Sequence, residues 1–418
     1  MRIVIIATGS RGDVEPYVAL GKGLKEAGHT VRLVSHTTFA ELVNSQGLEF
    51  WPVDVDVQDI AQSPEMRARL GSGSFLSVMV QMKKEAENNA VHLARAGLAA
   101  CQGMNLILTG VGGLFVAIAL AEKLDLPLVQ AYYIPFTATR QYPSFLVPNG
   151  MNLGGGLNRI SYQLARQVIW QGFRSADTLV RRKELDLPAA PFLGPYNGKI
   201  AKSNPVLYGF SPSVIPQPSD WDNNIHITGY WFLEPDDHWT PPQSLLDFLQ
   251  AGPAPVYVGF GSMSTTKPEE TTRMVLESLT QAKQRGIILS GWGGLHTGNL
   301  PNSVFAIDSV PFSWLFPRMA AVIHHGGAGT TAAGLRAGVP SILIPFFGDQ
   351  PFWGQRVAKL GVGPIPIPLK KLTVDRLAQA IERAVTDQDM RQRAAQLGSK
   401  VQAEDGIAKA VAVLQQLE

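Results

Sequence analysis

The segment Val322-Ile323-His324-His325-Gly326-Gly327-Ala328-Gly329-Thr330-Thr331 reads as an apolar strand, a glycine turn and a helix that opens on two threonines. That order aims several backbone N–H groups and the positive end of a helix dipole at one spot, which suits a phosphate. Gly326, Gly327 and Gly329 let the backbone approach an anion with no Cβ in the way. His325 supplies a further donor beside the turn. After a second apolar strand, Ser341 to Pro345, come Asp349 and Gln350, placed where a loop leaves the sheet. An acid accepts hydrogen bonds and an amide both donates and accepts, so the pair suits a polyhydroxylated ring. A phosphate cradle followed by a hydroxyl reader implies a nucleotide-sugar site.

Such a site needs strands and helices that alternate. The first half opens with a strand (Arg2 to Ala7), a loop (Thr8-Gly9-Ser10-Arg11-Gly12) and a helix from Val14 to Ala27. Tyr17, Leu20, Leu24 and Ala27 recur at helical spacing, and Gly28 ends the run. Val31 to Ser35, Asn105 to Thr109 and Leu128 to Ala131 read as buried strands, with a helix from Leu114 to Leu124. The second half repeats the scheme, with strands at 255–260, 287–290, 304–307, 321–324 and 341–345 and a helix at 269–285. This alternation predicts two Rossmann-like α/β domains with parallel sheets. Ser211 to Pro242 carries six prolines and reads as the linker, with one short strand (Ile225 to Thr228) of the second domain. The expected organisation is a first domain over 1–214, a second over 215–395, and a helical tail over 396–418 able to cross back. Ligands in open parallel sheets bind outside the carboxyl ends of the strands. Two such domains facing each other predict a cleft, with one substrate on each wall.

Composition narrows the class. A chain of 418 residues fits roughly two to three domains. Hydrophobic residues make up 45%, and the net charge of +2 gives no reason to expect nucleic acid. One cysteine, Cys101, excludes an intramolecular disulfide and fits a reducing, cytoplasmic compartment. Ile3 to Ala7 is too short for the apolar core of a signal peptide. No apolar run reaches the ~20 residues of a spanning helix.

Three motifs carry a resemblance: Gly9-Ser10-Arg11-Gly12-Asp13-Val14-Glu15-Pro16, Gly259-Phe260-Gly261-Ser262-Met263, and His324 through Trp353. In order and spacing the whole chain resembles the inverting GT-B glycosyltransferases that use UDP- or dTDP-sugars, and within them the sterol 3β-glucosyltransferases and their bacterial relatives. The resemblance implies transfer of a hexose to a hydroxyl of a lipophilic acceptor by single displacement. The UDP-sugar is a co-substrate, with no cofactor and no metal. It gives Asp13 the role of general base toward the acceptor hydroxyl. Donor contacts fall to Gly12, Ser262, Val310, His325, Gly327, Gly329, Thr330, Asp349 and Gln350. His325 and the turn through Thr331 hold the diphosphate, and the Val310 backbone clamps the base. The plant relatives use a histidine backed by an aspartate where this chain has Gly12-Asp13-Val14-Glu15-Pro16, so that dyad does not transfer. They also stack the base on a tryptophan where this chain has Ser309, with Trp292 a candidate substitute.

Plain structural readings compete with each role. Asp13 stands just before a helical run with Pro16 close behind, where an N-cap is expected. Ser262 would serve as an ordinary turn residue, and Asp349-Gln350 as a polar turn. His324 faces away from His325 if strand alternation holds, and is expected to be structural. Asp54-Val55-Asp56 matches the Asp-x-Asp motif of metal-dependent transferases, but both acids would share one solvent face of an alternating segment. Tyr132, Tyr133, Phe136, Tyr142, Phe145, Trp170 and Phe173 would suit a flat lipophilic acceptor, or simply fill a core. Arg159 to Lys183 mixes six cations with apolar residues, as in a helix lying on a membrane or a solvated face. Two other functions remain as alternatives: a sugar-nucleotide epimerase, which the first motif does not resemble, and a non-catalytic binder.

Overall fold

The computed structural model describes residues 1–55, 75–147, 151–197, 204–235, 239–261, 267–290, 295 and 300–418. Two parallel sheets organise them. The first contains β1 (Arg2–Ile6), β2 (Thr30–His36), β3 (Glu49–Val53), β4 (Leu106–Thr109), β5 (Leu128–Tyr132), β6 (Val206–Tyr208) and β7 (Ile225–Ile227), in the order β3-β2-β1-β4-β5-β6-β7. The second contains β8 (Val256–Gly259), β9 (Gly286–Leu289), β10 (Val304–Ile307), β11 (Ala321–His324) and β12 (Ser341–Leu343), in the order β10-β9-β8-β11-β12.

Helices cover both faces of each sheet, which is why the strands read as unbroken apolar runs. Alternate residues of β1 enter opposite cores. Ile3 and Ile5 pack with Tyr17, Leu20 and Leu24 of the Arg11–Glu26 helix. Val4 and Ile6 pack with Ile118 and Trp170 on the other side. In the second sheet Val256 and Val258 meet Leu377 and Ile381, while Tyr257 meets Leu315 and Phe316.

Strand order reverses between β1 and β4 in the first sheet and between β8 and β11 in the second. Each reversal opens a crevice at the carboxyl ends of the strands. The Gly9-Ser10 loop and the 325–327 turn both lie at these points. The Arg11–Glu26 helix of the first domain comes against the Ala328–Ala337 helix of the second, so the two crevices share one cleft.

Two boundaries differ from the sequence expectation. Ile225–Ile227 pairs with β6 and completes the first sheet rather than joining the second. The first domain therefore continues past 214, and the second begins with the Gln243–Gln250 helix. A three-residue edge strand needs only one partner, and its own sequence says nothing of which sheet supplies it. The C-terminal segment also divides. Gln388–Gln402 stays on the second domain, where Leu397 and Val401 pack near Ala332 and Leu335. The crossing comes after it, and Gly406–Gln415 lies on the first domain with Ala410, Val411 and Leu414 in the β1 core. Glu404 marks the crossing and accepts hydrogen bonds from Ser211 and Ser213 Oγ at 2.7 and 3.1 Å.

Candidate active site

Asp13 occupies the third position of the Arg11–Glu26 helix, and Ser10 is the N-cap. Asp13 is thus not the cap that its sequence position suggests. It reaches back as the acidic half of a capping pair: Ser10 N–H and Ser10 Oγ–H both donate to its Oδ2 at 2.8 Å. The helix begins early enough that Pro16 falls in its second turn, where it cannot donate to the Gly12 carbonyl. Gly9 has φ +129°, and a Cβ there would lie 2.6 Å from Asp13 Oδ2, so glycine is required for the carboxylate to fold back. His36 Nε2, at the end of β2, accepts the Gly9 N–H at 3.3 Å.

The other Asp13 oxygen accepts a hydrogen bond from the Tyr133 hydroxyl. Tyr133 follows β5 directly and is half-buried. Its sequence role as one of several acceptor-side aromatics did not reveal this partnership, which spans 120 residues. Burial pushes its phenol far above the usual range, and the charges of Asp13 and Asp349 add to that. Most of the other aromatics in that group are core. Tyr132, Phe136, Phe145 and Trp170 are buried, while Tyr142 and Phe173 remain partly exposed.

On the opposite wall the 325–327 turn connects β11 to the Ala328–Ala337 helix, with Gly327 as its N-cap. His324 is fully buried and its Nδ1 accepts the Gly326 N–H at 3.1 Å, as expected of a structural histidine. Burial pushes it down to about 3, with His325 adding to the fall. His325 is turned toward the loop after β8: a Cβ on Gly261 would touch its Cε1 at 3.2 Å. Gly327 passes just as close, since a Cβ there would lie 2.5 Å from His325 Nε2. Burial holds His325 near 4, so at neutral pH it is an uncharged imidazole with one donor and one acceptor nitrogen. Its Nδ1 is buried without a hydrogen-bond partner among the described residues.

The first amides of the Ala328–Ala337 helix have no intrahelical acceptor. Gly329 is exposed, a Cβ added to it would meet nothing within 4 Å, and Thr330 is half-exposed beside it. Thr331 turns inward and its Oγ1 donates to the Gly327 carbonyl at 2.8 Å, bracing the turn. His325, Gly327, Gly329 and Thr330 therefore form one anion-accepting corner. Gly12 is exposed in the first turn of the Arg11–Glu26 helix.

Asp349 caps the Gln350–Leu360 helix and accepts the Trp353 indole N–H at 2.9 Å. Burial pushes its carboxyl up to about 6 against that hydrogen bond, and the charge of Asp13 adds to the rise. That coupling brings an acid from each domain into the same cleft. Gln350 is placed differently from the sequence expectation. Its side chain is buried, and its amide oxygen accepts the Phe346 and Phe347 N–H groups at 2.8 and 3.2 Å. It shapes the loop after β12 from within, so that oxygen is committed to the loop and is not the hydroxyl reader the sequence suggests. Val310 follows β10, and its side chain packs near Leu315 and Phe316. Ser262, Trp292 and Asp56 lie outside the described residues. No group of three or more His, Cys, Asp or Glu side chains fit to hold a metal occurs among the described residues.

Two parallel-sheet domains whose switch-point crevices face each other across one cleft define the GT-B fold. Solved structures of the same fold include the kitacinnamycin glycotransferase (19% identity, 99% of this chain and 98% of that one, TM-score 0.71). The calicheamicin glycosyltransferase CalG4 also matches (20% identity, 100% and 98%, TM-score 0.68). The glycosyltransferase family 28 N-terminal domain matches residues 3–143, and the erythromycin biosynthesis protein CIII-like C-terminal domain matches 273–417. Two sterol 3-beta-glucosyltransferases of Arabidopsis thaliana align with 98% of this chain: UGT80A2 at 38% identity over 64% of its length, and UGT80B1 at 35% over 67%. The Emericella nidulans sterol 3-beta-glucosyltransferase is 39% identical over all of this chain, which spans 30% of that protein. The chain belongs to the sterol 3-beta-glucosyltransferase family, and it spans less than two thirds of several of these relatives.

Proposed function

We propose that the protein is an inverting glucosyltransferase that moves glucose from UDP-glucose to the hydroxyl of a sterol-like lipophilic alcohol. The observation that carries the reading is that the Asp13 helix meets the helix after the His325 turn, so that an acid on one wall and the glycine corner on the other share one cleft. In this reading Asp13 takes the acceptor O–H proton as that oxygen bonds to the anomeric carbon. The bond from that carbon to the diphosphate breaks on the opposite face, its electron pair leaving with UDP, which inverts the centre. Charge on the departing diphosphate is met by His325 and the amides at the start of the Ala328–Ala337 helix. Asp349 accepts hydrogen bonds from the sugar hydroxyls. No cofactor enters.

The test is UDP release from UDP-glucose against a panel of sterols, flavonoids and macrolides, with product masses recorded. A sterol gaining one hexose supports the reading, and donor binding with no acceptor-dependent release anywhere overturns it. The erythromycin CIII-like match favours a second reading, a dTDP-sugar donor and a natural-product acceptor, so dTDP-glucose runs in parallel.

Asp349 gives the donor step a pH dependence. Its raised carboxyl takes up a proton as pH falls through about 6, and a neutral carboxyl accepts sugar hydroxyls poorly. The donor KM should climb below that pH in wild type and stay flat in Asp349→Asn. Equal profiles would remove Asp349 from sugar binding.

A membrane-resident acceptor also calls for contact with a lipid surface. Leu157, Ile160, Leu164 and Val168 are exposed along one face of the Gly155–Lys183 helix, with Phe192 and Leu193 exposed beside it. Arg159, Arg182 and Lys183 are exposed on the same helix, whose one acid, Asp177, is buried against Arg181. Apolar side chains flanked by cations suit an anionic bilayer. Leu157→Glu with Leu164→Glu should abolish co-sedimentation with vesicles containing phosphatidylserine. Unchanged sedimentation would rule this face out. No helix among the described residues is long and apolar enough to cross a membrane.

A further inference from the structure

Asp13 is held by three donors from two directions. Ser10 fills Oδ2 with two hydrogen bonds, and Tyr133 fills half of Oδ1. A carboxylate oxygen has two acceptor sites, so one position on Oδ1 remains beside the phenol. An acceptor hydroxyl that gives its proton to Asp13 has that position to use. We propose that Tyr133 is a positioning residue that aims the free lone pair of Asp13 at the acceptor hydroxyl, an inference that rests on the reading of Asp13 as the base.

The surroundings fit that task. Asp13, Tyr17 and Asp349 are the titratable groups that bear on the phenol, and of these the two carboxylates carry the charge. Burial and those charges keep the phenol protonated, so it stays a donor and does not compete as a base. Tyr17 lies edge-on to it, ring centroids 6.4 Å apart, but spends its own hydroxyl on the Ala131 carbonyl at 2.6 Å. That bond ties the Asp13 helix to the end of β5, two residues before Tyr133. Asp349 of the other domain also bears on this phenol, so the acids of both domains act on Tyr133.

The experiment measures kcat, donor KM and the pH profile of UDP release for Tyr133→Phe, Tyr17→Phe, Asp13→Asn and the Asp13→Asn, Tyr133→Phe double variant. Tyr133→Phe should lower kcat about tenfold, the size of one hydrogen bond to a charged group, with donor KM unchanged. Its acid limb should move to higher pH, because the ionised carboxylate has lost a donor. Incorporating 3-fluorotyrosine at 133 keeps the shape and strengthens the donor, so it should move the limb the other way. Tyr17→Phe, which deletes a hydroxyl that does not touch Asp13, should leave the limb in place. In the Asp13→Asn background Tyr133→Phe should cost nothing further. A wild-type acid limb in Tyr133→Phe, or a full additional loss in the double variant, would overturn the proposal. If Asp13→Asn itself turns over at the wild-type rate, the base reading fails, and that result is distinct from failure at Tyr133 alone.

Discussion

Asp13→Asn is expected to lower kcat by about 10²–10⁴-fold while leaving thermal stability nearly unchanged. The two parts of this result answer different questions. An asparagine keeps one oxygen that can accept the Ser10 N–H, so the helix start survives. It cannot take a proton from an acceptor hydroxyl. If Asp13 were only half of a capping pair, the substitution would leave both the melting temperature and turnover close to wild type. A base loses turnover with the melt intact. Steady-state UDP release beside a thermal melt of each protein decides between them. Wild-type kcat in the variant would remove Asp13 from the chemistry and leave the cleft without an assigned base.

The second large effect lies on the other wall. His325→Ala is expected to cost about 10²–10³-fold in kcat, the range for one donor to developing negative charge. Gly327→Ala should approach the same loss by a different route. Its new methyl would sit 2.5 Å from His325 Nε2 and force the imidazole out of the corner. Gly329→Ala supplies the contrast, because nothing in the protein lies within 4 Å of the added carbon. Any loss there must come from a bound ligand. If a diphosphate rests on the first turn of the helix, Gly329→Ala weakens UDP binding in calorimetry without changing the melt. If UDP binds all three variants as it binds wild type, the diphosphate lies elsewhere.

These variants also separate the donor half of the mechanism from the acceptor half. Changes at Asp13 should act on kcat with UDP affinity intact. Changes at His325 and Gly327 should weaken both under the proposed reading, in which the corner holds the diphosphate before and during departure. Changes at Asp349 should act on donor KM alone, most at neutral pH where wild type carries the ionised carboxylate, and fade below about pH 6. Three patterns from three positions are hard to reproduce with a protein that merely binds nucleotide sugars.

Much of this architecture is local and so was legible in the residues. The strands announce themselves because a parallel sheet buried on both faces needs continuous apolar runs such as Ile3 to Ile6 and Val322-Ile323. The phosphate corner is legible because it is made of consecutive residues: a strand end, glycines and a helix start, each required by backbone geometry. The His324 and His325 division follows from strand alternation over one peptide step. The Trp353 bond to Asp349 was within reach too, as an i, i+4 pair on a helix opening. Tertiary structure alone decided the rest. The length of the first turn, set by the Ser10 pair, moved Asp13 from cap to third position. Gln350 turned inward because two loop amides at Phe346 and Phe347 needed an acceptor, a demand that no propensity encodes. Ile225–Ile227 joined the first sheet because β6 left an open edge there. Tyr133 met Asp13 only because β1 and β5 end on the same edge of one parallel sheet, with β4 between them. Sequence pattern records what each segment must bury and how it must turn. Which distant segments meet is decided by the packing of the sheets, and that packing brought Tyr133 to Asp13.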